Sequence, residues 1–119
     1  MGNYLTSFRV LTGQDSRLPS LNEAERRLGY KMMELRGKRL HSLAHSPVTY
    51  PAKVGARISM GGAGIFLGTS KQFVLDYYSG LTDGAEVLVT FSVDPKHIVK
   101  DAGDEITASE AKIASITPQ

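Results

Sequence analysis

Several segments of the chain alternate apolar and polar residues, or form short apolar runs, between turn-forming residues. Both patterns are typical of β-strands. The clearest example is the segment 85–93, which is rich in β-branched and aromatic residues and places Val87, Val89, Phe91 and Val93 on one face. The pattern predicts strands at residues 5–12, 48–50, 65–67 and 85–93, and one bent strand or two strands between 105 and 117.

A different period, of three and four residues, runs through the first third of the chain and indicates an amphipathic helix. Its apolar positions are Leu21, Ala24, Leu28, Met32 and Leu35. Ser20 and Glu23 match a capping box at the start of this stripe, and Gly37 follows its end. We therefore predict a first helix that begins after Ser20 and ends near Gly37.

A second helix is predicted from Lys71 to Ser79. Thr69 and Ser70 precede it as capping residues, Gly80 follows it, and its apolar side chains form one broad face. Two helices and five to six short strands, without regular alternation of strand and helix, favour an α+β domain with a small mixed or antiparallel sheet. With 119 residues, the chain is expected to form a single domain over residues 1–119.

Composition narrows the classes of function. The chain has no cysteine, which excludes disulfides, thiolate metal sites and a cysteine nucleophile. No apolar run approaches the roughly 20 residues that span a bilayer. We therefore expect a cytoplasmic protein with no membrane partner, since a chain without cysteine suits a reducing compartment.

Positive charge is concentrated in residues 26–57, although the net charge is only +2. This segment holds eight basic residues against the single acid Glu34. A basic segment can bind phosphate, a nucleic acid or an acidic protein surface, and it can also be a solvated helix face. The small net charge disfavours nucleic acid as the partner relative to protein.

Common enzyme motifs, such as a P-loop or a zinc-protease helix, are missing. His41 and His45 have the spacing of zinc ligands on a helix, but no third ligand is evident, so we expect no metal site. The run from Gly61 to Gly64 leads into a strand and then into a helix N-terminus at Thr69 and Ser70. Backbone amides there can bind an anion, or the glycines simply form a turn and the hydroxyls cap the helix.

Taken in order, these segments resemble the ADP-ribosyltransferase fold. Arg9 on the first strand matches the arginine of that family, and Gly64 to Ser70 followed by Phe73, Tyr77 and Tyr78 is similar to its middle motif. A late glutamate completes the family's set of three, with Glu105 the first candidate and Glu110 the second. The middle motif reads Gly-Thr-Ser, and a second acid two residues from Glu105 is absent, which disfavours transfer to arginine.

The resemblance implies that the chain binds NAD and transfers ADP-ribose to a macromolecule. In that interpretation Arg9 pairs with the diphosphate, Thr69 or Ser70 binds the nicotinamide ribose, Phe73 or Tyr77 packs on the nicotinamide ring, and Gly64 belongs to the cofactor loop. Glu105, or otherwise Glu110, stabilises positive charge as the glycosidic bond breaks.

An alternative from a different class is a module without catalysis. In that interpretation the chain binds or inhibits a protein partner through the basic face of the predicted helix 20–39.

Overall fold

β-Strands account for most of the structure. The computed structural model of the chain describes residues 26–43, 48–60, 64–80 and 84–119. These residues form nine strands, one α-helix and one turn of 3-10 helix at Pro95–His97. The elements are β1 (Arg27–Arg36), β2 (Arg39–Ser42), β3 (Thr49–Pro51), β4 (Arg57–Ser59), β5 (Ile65–Gly68), α1 (Lys71–Tyr78), β6 (Ala85–Val93), β7 (Ile98–Asp101), β8 (Glu105–Ala108) and β9 (Glu110–Pro118).

All strand pairs described are antiparallel, in the order β4-β9-β6-β1-β5-β8-β7. The predicted α+β fold with two main helices is therefore wrong: the described chain is mostly antiparallel sheet with a single helix. Only Ser109 separates β8 from β9, yet β5, β1 and β6 lie between them in the sheet. Because consecutive Cα atoms are about 3.8 Å apart, the sheet has to curl until these two strands approach.

The first predicted helix accounts for the largest error. Its second half is β1, which pairs with β6 from Arg27↔Val93 to Leu35↔Ala85. Gly37 has the positive φ expected of it, 59°, but it lies in the two-residue loop of the β1–β2 hairpin instead of ending a helix. Hydrogen bonds to a distant strand thus prevail over the local helical period. The capping residues Ser20 and Glu23, like the predicted strand 5–12, lie outside the described residues.

Strand β1 pairs with neighbouring strands along both of its edges. One edge pairs with β6, and the other is shared by β5 and β2. Tyr30 pairs with Gly68 of β5, whereas Met33 to Arg36 pair with β2. The sheet therefore branches beside Lys31 and Met32, with β2 and β3 on one branch and β5, β8 and β7 on the other.

Two groups of apolar residues are buried. The larger one lies within the curled sheet and draws on eight strands, with Met33, Leu40, Phe91, Ile106 and Ile113 among its fully buried members. The smaller group is Met32, Val74 and Leu88, and it lies where α1 covers the sheet.

Most sequence predictions beyond residue 48 are confirmed. The strand 85–93 and the helix from Lys71 have the predicted positions, and Ser70 is the N-cap. The short strands near 48–50 and 65–67 are present as β3 and β5, and the segment 105–117 forms the two strands β8 and β9.

Candidate functional site

A cavity of about 340 Å³ opens at the branch point of the sheet. Its walls come from β1, from the end of β2, from β5, from α1 and from the residues that begin β8. The lining residues are Tyr30, Lys31, Met32, Ser42, Leu43, Phe66, Gly68, Phe73, Val74, Tyr78, Asp104 and Glu105. Aromatic rings, one lysine and two acidic residues thus face one space.

Helix α1 supplies the aromatic wall. Phe73 and Tyr78 line the cavity, and the Phe73 ring is half exposed. Tyr77 packs between them, with ring centroids 5.7 Å from Phe73 and 4.8 Å from Tyr78. The ring of Tyr77 does not line the cavity itself and is 64% exposed.

Residues 68–70 set the position of α1 on the sheet. The Ser70 hydroxyl accepts a hydrogen bond from the backbone N–H of Phe73 at 3.2 Å, which satisfies one of the free amides of the first turn. Gly68 has no side chain, which lets Val74 lie against its backbone. Together the cap and the glycine place Phe73 at the cavity.

Hydrogen bonds across the loop fix the acidic wall next to this helix. Glu105 is the first residue of β8 and pairs with Gly68 in the sheet register. Thr69 donates its backbone N–H to the carbonyl of Asp104 at 3.0 Å and its hydroxyl to the carbonyl of Gly103 at 2.8 Å. Asp104 and the first residue of β8, Glu105, therefore follow a loop that is tied to the start of α1.

Lys31 brings a basic group into the same cavity. Burial lowers the pKa of its amine below the ordinary value of 10.5, and the charge of Glu105 opposes this effect to a lesser extent. The amine makes no ion pair with a described residue within 4.0 Å. A group in a cleft that is desolvated and has a specific charge partner is a candidate functional residue, and Lys31 meets this description.

Four of the residues predicted from the resemblance lie together. Phe73 and Glu105 line the cavity, whereas Thr69 and Ser70 lie directly before α1 and are hydrogen-bonded to Gly103 and to Phe73. The resemblance thus named two residues that share this cavity, and their role in binding stays a prediction.

Other predicted residues of the cofactor site do not join this group. Gly64 is at the other end of β5, roughly 13 Å along the strand from Gly68. It is packed against Thr107 and does not line the cavity. Arg9 lies outside the described residues, as does the segment 61–63 that precedes Gly64.

Glu110 belongs to a different place in the molecule. Its carboxylate accepts a hydrogen bond from Arg57 at 2.9 Å and lines a cavity of about 110 Å³ with Arg26, His97 and Lys112. The Arg57 hydrogen bond lowers the pKa of Glu110 below its ordinary 4.5, with a smaller contribution from the charge of His97. Of the two acids considered from the sequence, Glu105 alone lines the larger cavity.

The basic segment does not form one helical face. Several of its arginines pair with neighbouring groups: Arg27 with Asp101 at 3.2 Å, Arg36 with Glu34 at 2.8 Å, and Arg57 with Glu110. The predicted basic helix is thus corrected to a strand and hairpin, whose guanidinium groups are partly neutralised.

Sequence reasoning missed Tyr30 and Lys31 as site residues. Lys31 was counted among the surface charges of a helix, although apolar residues flank it on both sides in Tyr30, Met32 and Met33. A lone charge inside an apolar segment was the signal that could have identified it.

Among the described residues, no group of three or more potential ligands could hold a metal ion, and no helix is long and apolar enough to cross a membrane. His41 lies on β2, and His45 is outside the described residues.

Comparisons of the chain with protein-family models, with curated proteins and with solved structures found no match.

Proposed function

We propose that the cavity at the branch of the sheet binds the nicotinamide end of NAD and that the chain transfers ADP-ribose to a macromolecule. The observation that carries this proposal is the combination of aromatic walls with the carboxylates of Asp104 and Glu105 in one cavity. The fold prediction that accompanied the resemblance is wrong, so the proposal rests on the chemistry of the cavity.

The oxidised nicotinamide ring is flat and positively charged. Aromatic faces attract such a cation, and nearby carboxylates lower its electrostatic energy further. Phe73 and Tyr78 supply the faces, and Glu105 and Asp104 supply the negative charge. Lys31 is the one basic residue among those that line the cavity, and burial lowers the pKa of its amine.

The size of the cavity supports partial enclosure of the cofactor. Ligand pockets have volumes of roughly 300–1,000 Å³. A volume of about 340 Å³ lies at the small end of this range and suits one ring with its ribose. The diphosphate and adenosine would then lie outside, along the surface.

Glu105 has a defined role in the reaction. The bond between the nicotinamide nitrogen and the ribose C1′ breaks, and its electron pair passes to the ring, which becomes neutral. Positive charge develops on the ribose, and a carboxylate held beside it stabilises that charge. A nucleophile of the target then forms a bond to C1′ and loses its proton.

Labelled NAD tests the function. The protein is incubated with labelled NAD and a cell extract, in parallel with Glu105→Gln and the control Glu110→Gln. We expect label on a macromolecule with the wild type and with Glu110→Gln, and its loss with Glu105→Gln. Absence of transfer together with absence of NAD binding by calorimetry would overturn the proposal.

Protein binding without catalysis is a second candidate, favoured by a specific observation. Phe66, Phe73 and Tyr77 are each at least half exposed on the side of α1. Exposed aromatic residues are enriched in protein interfaces. Binding of NAD by the isolated chain distinguishes the two candidates, because a purely protein-binding surface gives none.

A further inference from the structure

Lys31 is the one described lysine that lines the cavity at the branch of the sheet. Lys96, for example, is exposed and lies 3.9 Å from Asp94, whereas Lys31 is partly buried in the cavity and has no ion-pair partner among the described residues. The neighbouring Glu105 is close enough to act on it electrostatically. A basic group placed in this way is available to a ligand that enters the cavity.

We propose that Lys31 is a nucleophilic amine through which this cavity binds small aromatic aldehydes as imines. This activity goes beyond the proposed transfer of ADP-ribose, since it requires neither NAD nor a macromolecular target.

Protonation decides whether an amine can react. Only the neutral form has the lone pair that attacks a carbonyl carbon, and an apolar cavity favours that form by desolvating the ammonium ion. Burial lowers the pKa of Lys31 in this way. The other titratable groups that line the cavity are Tyr30, Tyr78, Asp104 and Glu105. The charge of Glu105 opposes the loss of the proton, and burial outweighs that contribution.

The walls define the class of aldehyde. Phe66, Phe73 and Tyr78 accept a flat ring, and the volume of about 340 Å³ admits a molecule of one or two rings. Asp104 and Glu105 repel an anionic aldehyde. A neutral aromatic aldehyde is therefore the preferred ligand.

The imine forms in two steps, through a carbinolamine. The lone pair of the Lys31 Nζ forms a bond to the carbonyl carbon, the carbonyl π electrons pass to oxygen, and the proton lost from nitrogen ends on that oxygen. The nitrogen lone pair of the resulting carbinolamine then forms the carbon–nitrogen double bond as the carbon–oxygen bond breaks, and the hydroxide leaves as water with the remaining proton of the nitrogen. The carboxyl group of Glu105 lines the same cavity and acts on the amine electrostatically, so it can relay the proton.

Reductive trapping tests the proposal. The full chain is treated with a limiting amount of benzaldehyde and sodium cyanoborohydride, which reduces the imine to a stable secondary amine. Peptide mass spectrometry then locates the benzyl group among Lys31 and the six other lysines of the chain. We expect most of the label on Lys31, and we expect excess benzyl alcohol to suppress labelling there alone.

Variants and a charged probe provide the controls. Lys31→Arg, which keeps the charge but cannot form an imine, is expected to lose most of the label, whereas the exposed control Lys100→Arg keeps it. The anionic 4-carboxybenzaldehyde is expected to label Lys31 less than benzaldehyde does. Label spread over the exposed lysines of the wild type, with Lys31 unmodified, would overturn the proposal even if Lys31→Arg failed to fold.

Discussion

The backbone of Gly68 and the side chain of Val74 are in such close contact that no β-carbon fits between them. A β-carbon built on Gly68 would overlap the Cγ2 atom of Val74. Val74 is the buried residue of α1 and belongs to the small apolar group with Met32 and Leu88. The helix therefore rests directly on β5, and this contact fixes the distance between the aromatic and the acidic walls of the cavity.

Substitution of Gly68 by alanine should test this contact. The added methyl group has to displace α1, and overpacking of this kind typically costs about 1–3 kcal/mol in the free energy of unfolding. Urea denaturation of Gly68→Ala measures the loss. In a Val74→Ala background the methyl group has room, so we expect a smaller penalty there. An equal penalty in both backgrounds would show that the contact does not limit the position of the helix.

Local sequence predicted the second half of the fold well because its signals agree there. In Ala85–Val93, strand propensity, alternation and flanking turn residues all indicate a strand. Ser70 likewise precedes α1 both in the pattern and in the structure. In contrast, β1 contains apolar residues at both two-residue and three-to-four-residue spacing. Its pairing with β6, which lies far away in the chain, decides between them, and no local pattern contains that information.

The site could be predicted only in part for the same reason. Phe73 and Glu105 reach the same cavity because β5, which precedes α1, pairs with β8, and the sequence named both residues through the resemblance. Lys31 and Tyr30 come to the cavity through β1, which the sequence had assigned to a helix. Once a segment receives the wrong period, the faces of all its side chains are misassigned as well.

Loss of the Ser70 cap should destabilise helix α1 without changing any residue that lines the cavity. Ser70→Ala leaves the Phe73 amide without its side-chain acceptor, and substitution of an N-cap by alanine typically costs about 1 kcal/mol. Ser70→Asp keeps an acceptor at the same position and is the matched control. Thermal unfolding of the three proteins measures the difference. Equal destabilisation by both substitutions would show that the hydroxyl has a role other than capping.

Phe73 and Tyr77 offer a matched pair for the proposed ring-binding wall. Both are aromatic, both lie on α1, and both are at least half exposed, but only Phe73 lines the cavity. We expect Phe73→Ala to weaken NAD binding by about 1 kcal/mol, roughly fivefold in Kd, the size of a ring–cation contact. Tyr77→Ala should leave the Kd nearly unchanged. Calorimetric titration measures both, and an equal loss in the two variants would place the ring elsewhere on the helix.

The buried amine of Lys31 predicts a pH dependence of stability with a defined sign. Because its pKa in the folded protein lies below the ordinary 10.5, the unfolded chain binds more protons between these two values. The free energy of unfolding therefore rises with pH across that window, and the cost of burying the charge is present in full below it.

Lys31→Met should remove this cost. We expect the variant to be more stable than the wild type near neutral pH, and we expect the difference to shrink as the pH approaches 10.5. Tyr50, whose pKa burial raises above 10.0, acts in the opposite direction in strongly alkaline solution, but it is present in both proteins and cancels in the difference. Urea denaturation of the two proteins at a series of pH values measures the gap. A constant gap would mean that the amine of Lys31 titrates as it does in the unfolded chain, and the desolvation that makes it a nucleophile would then be absent.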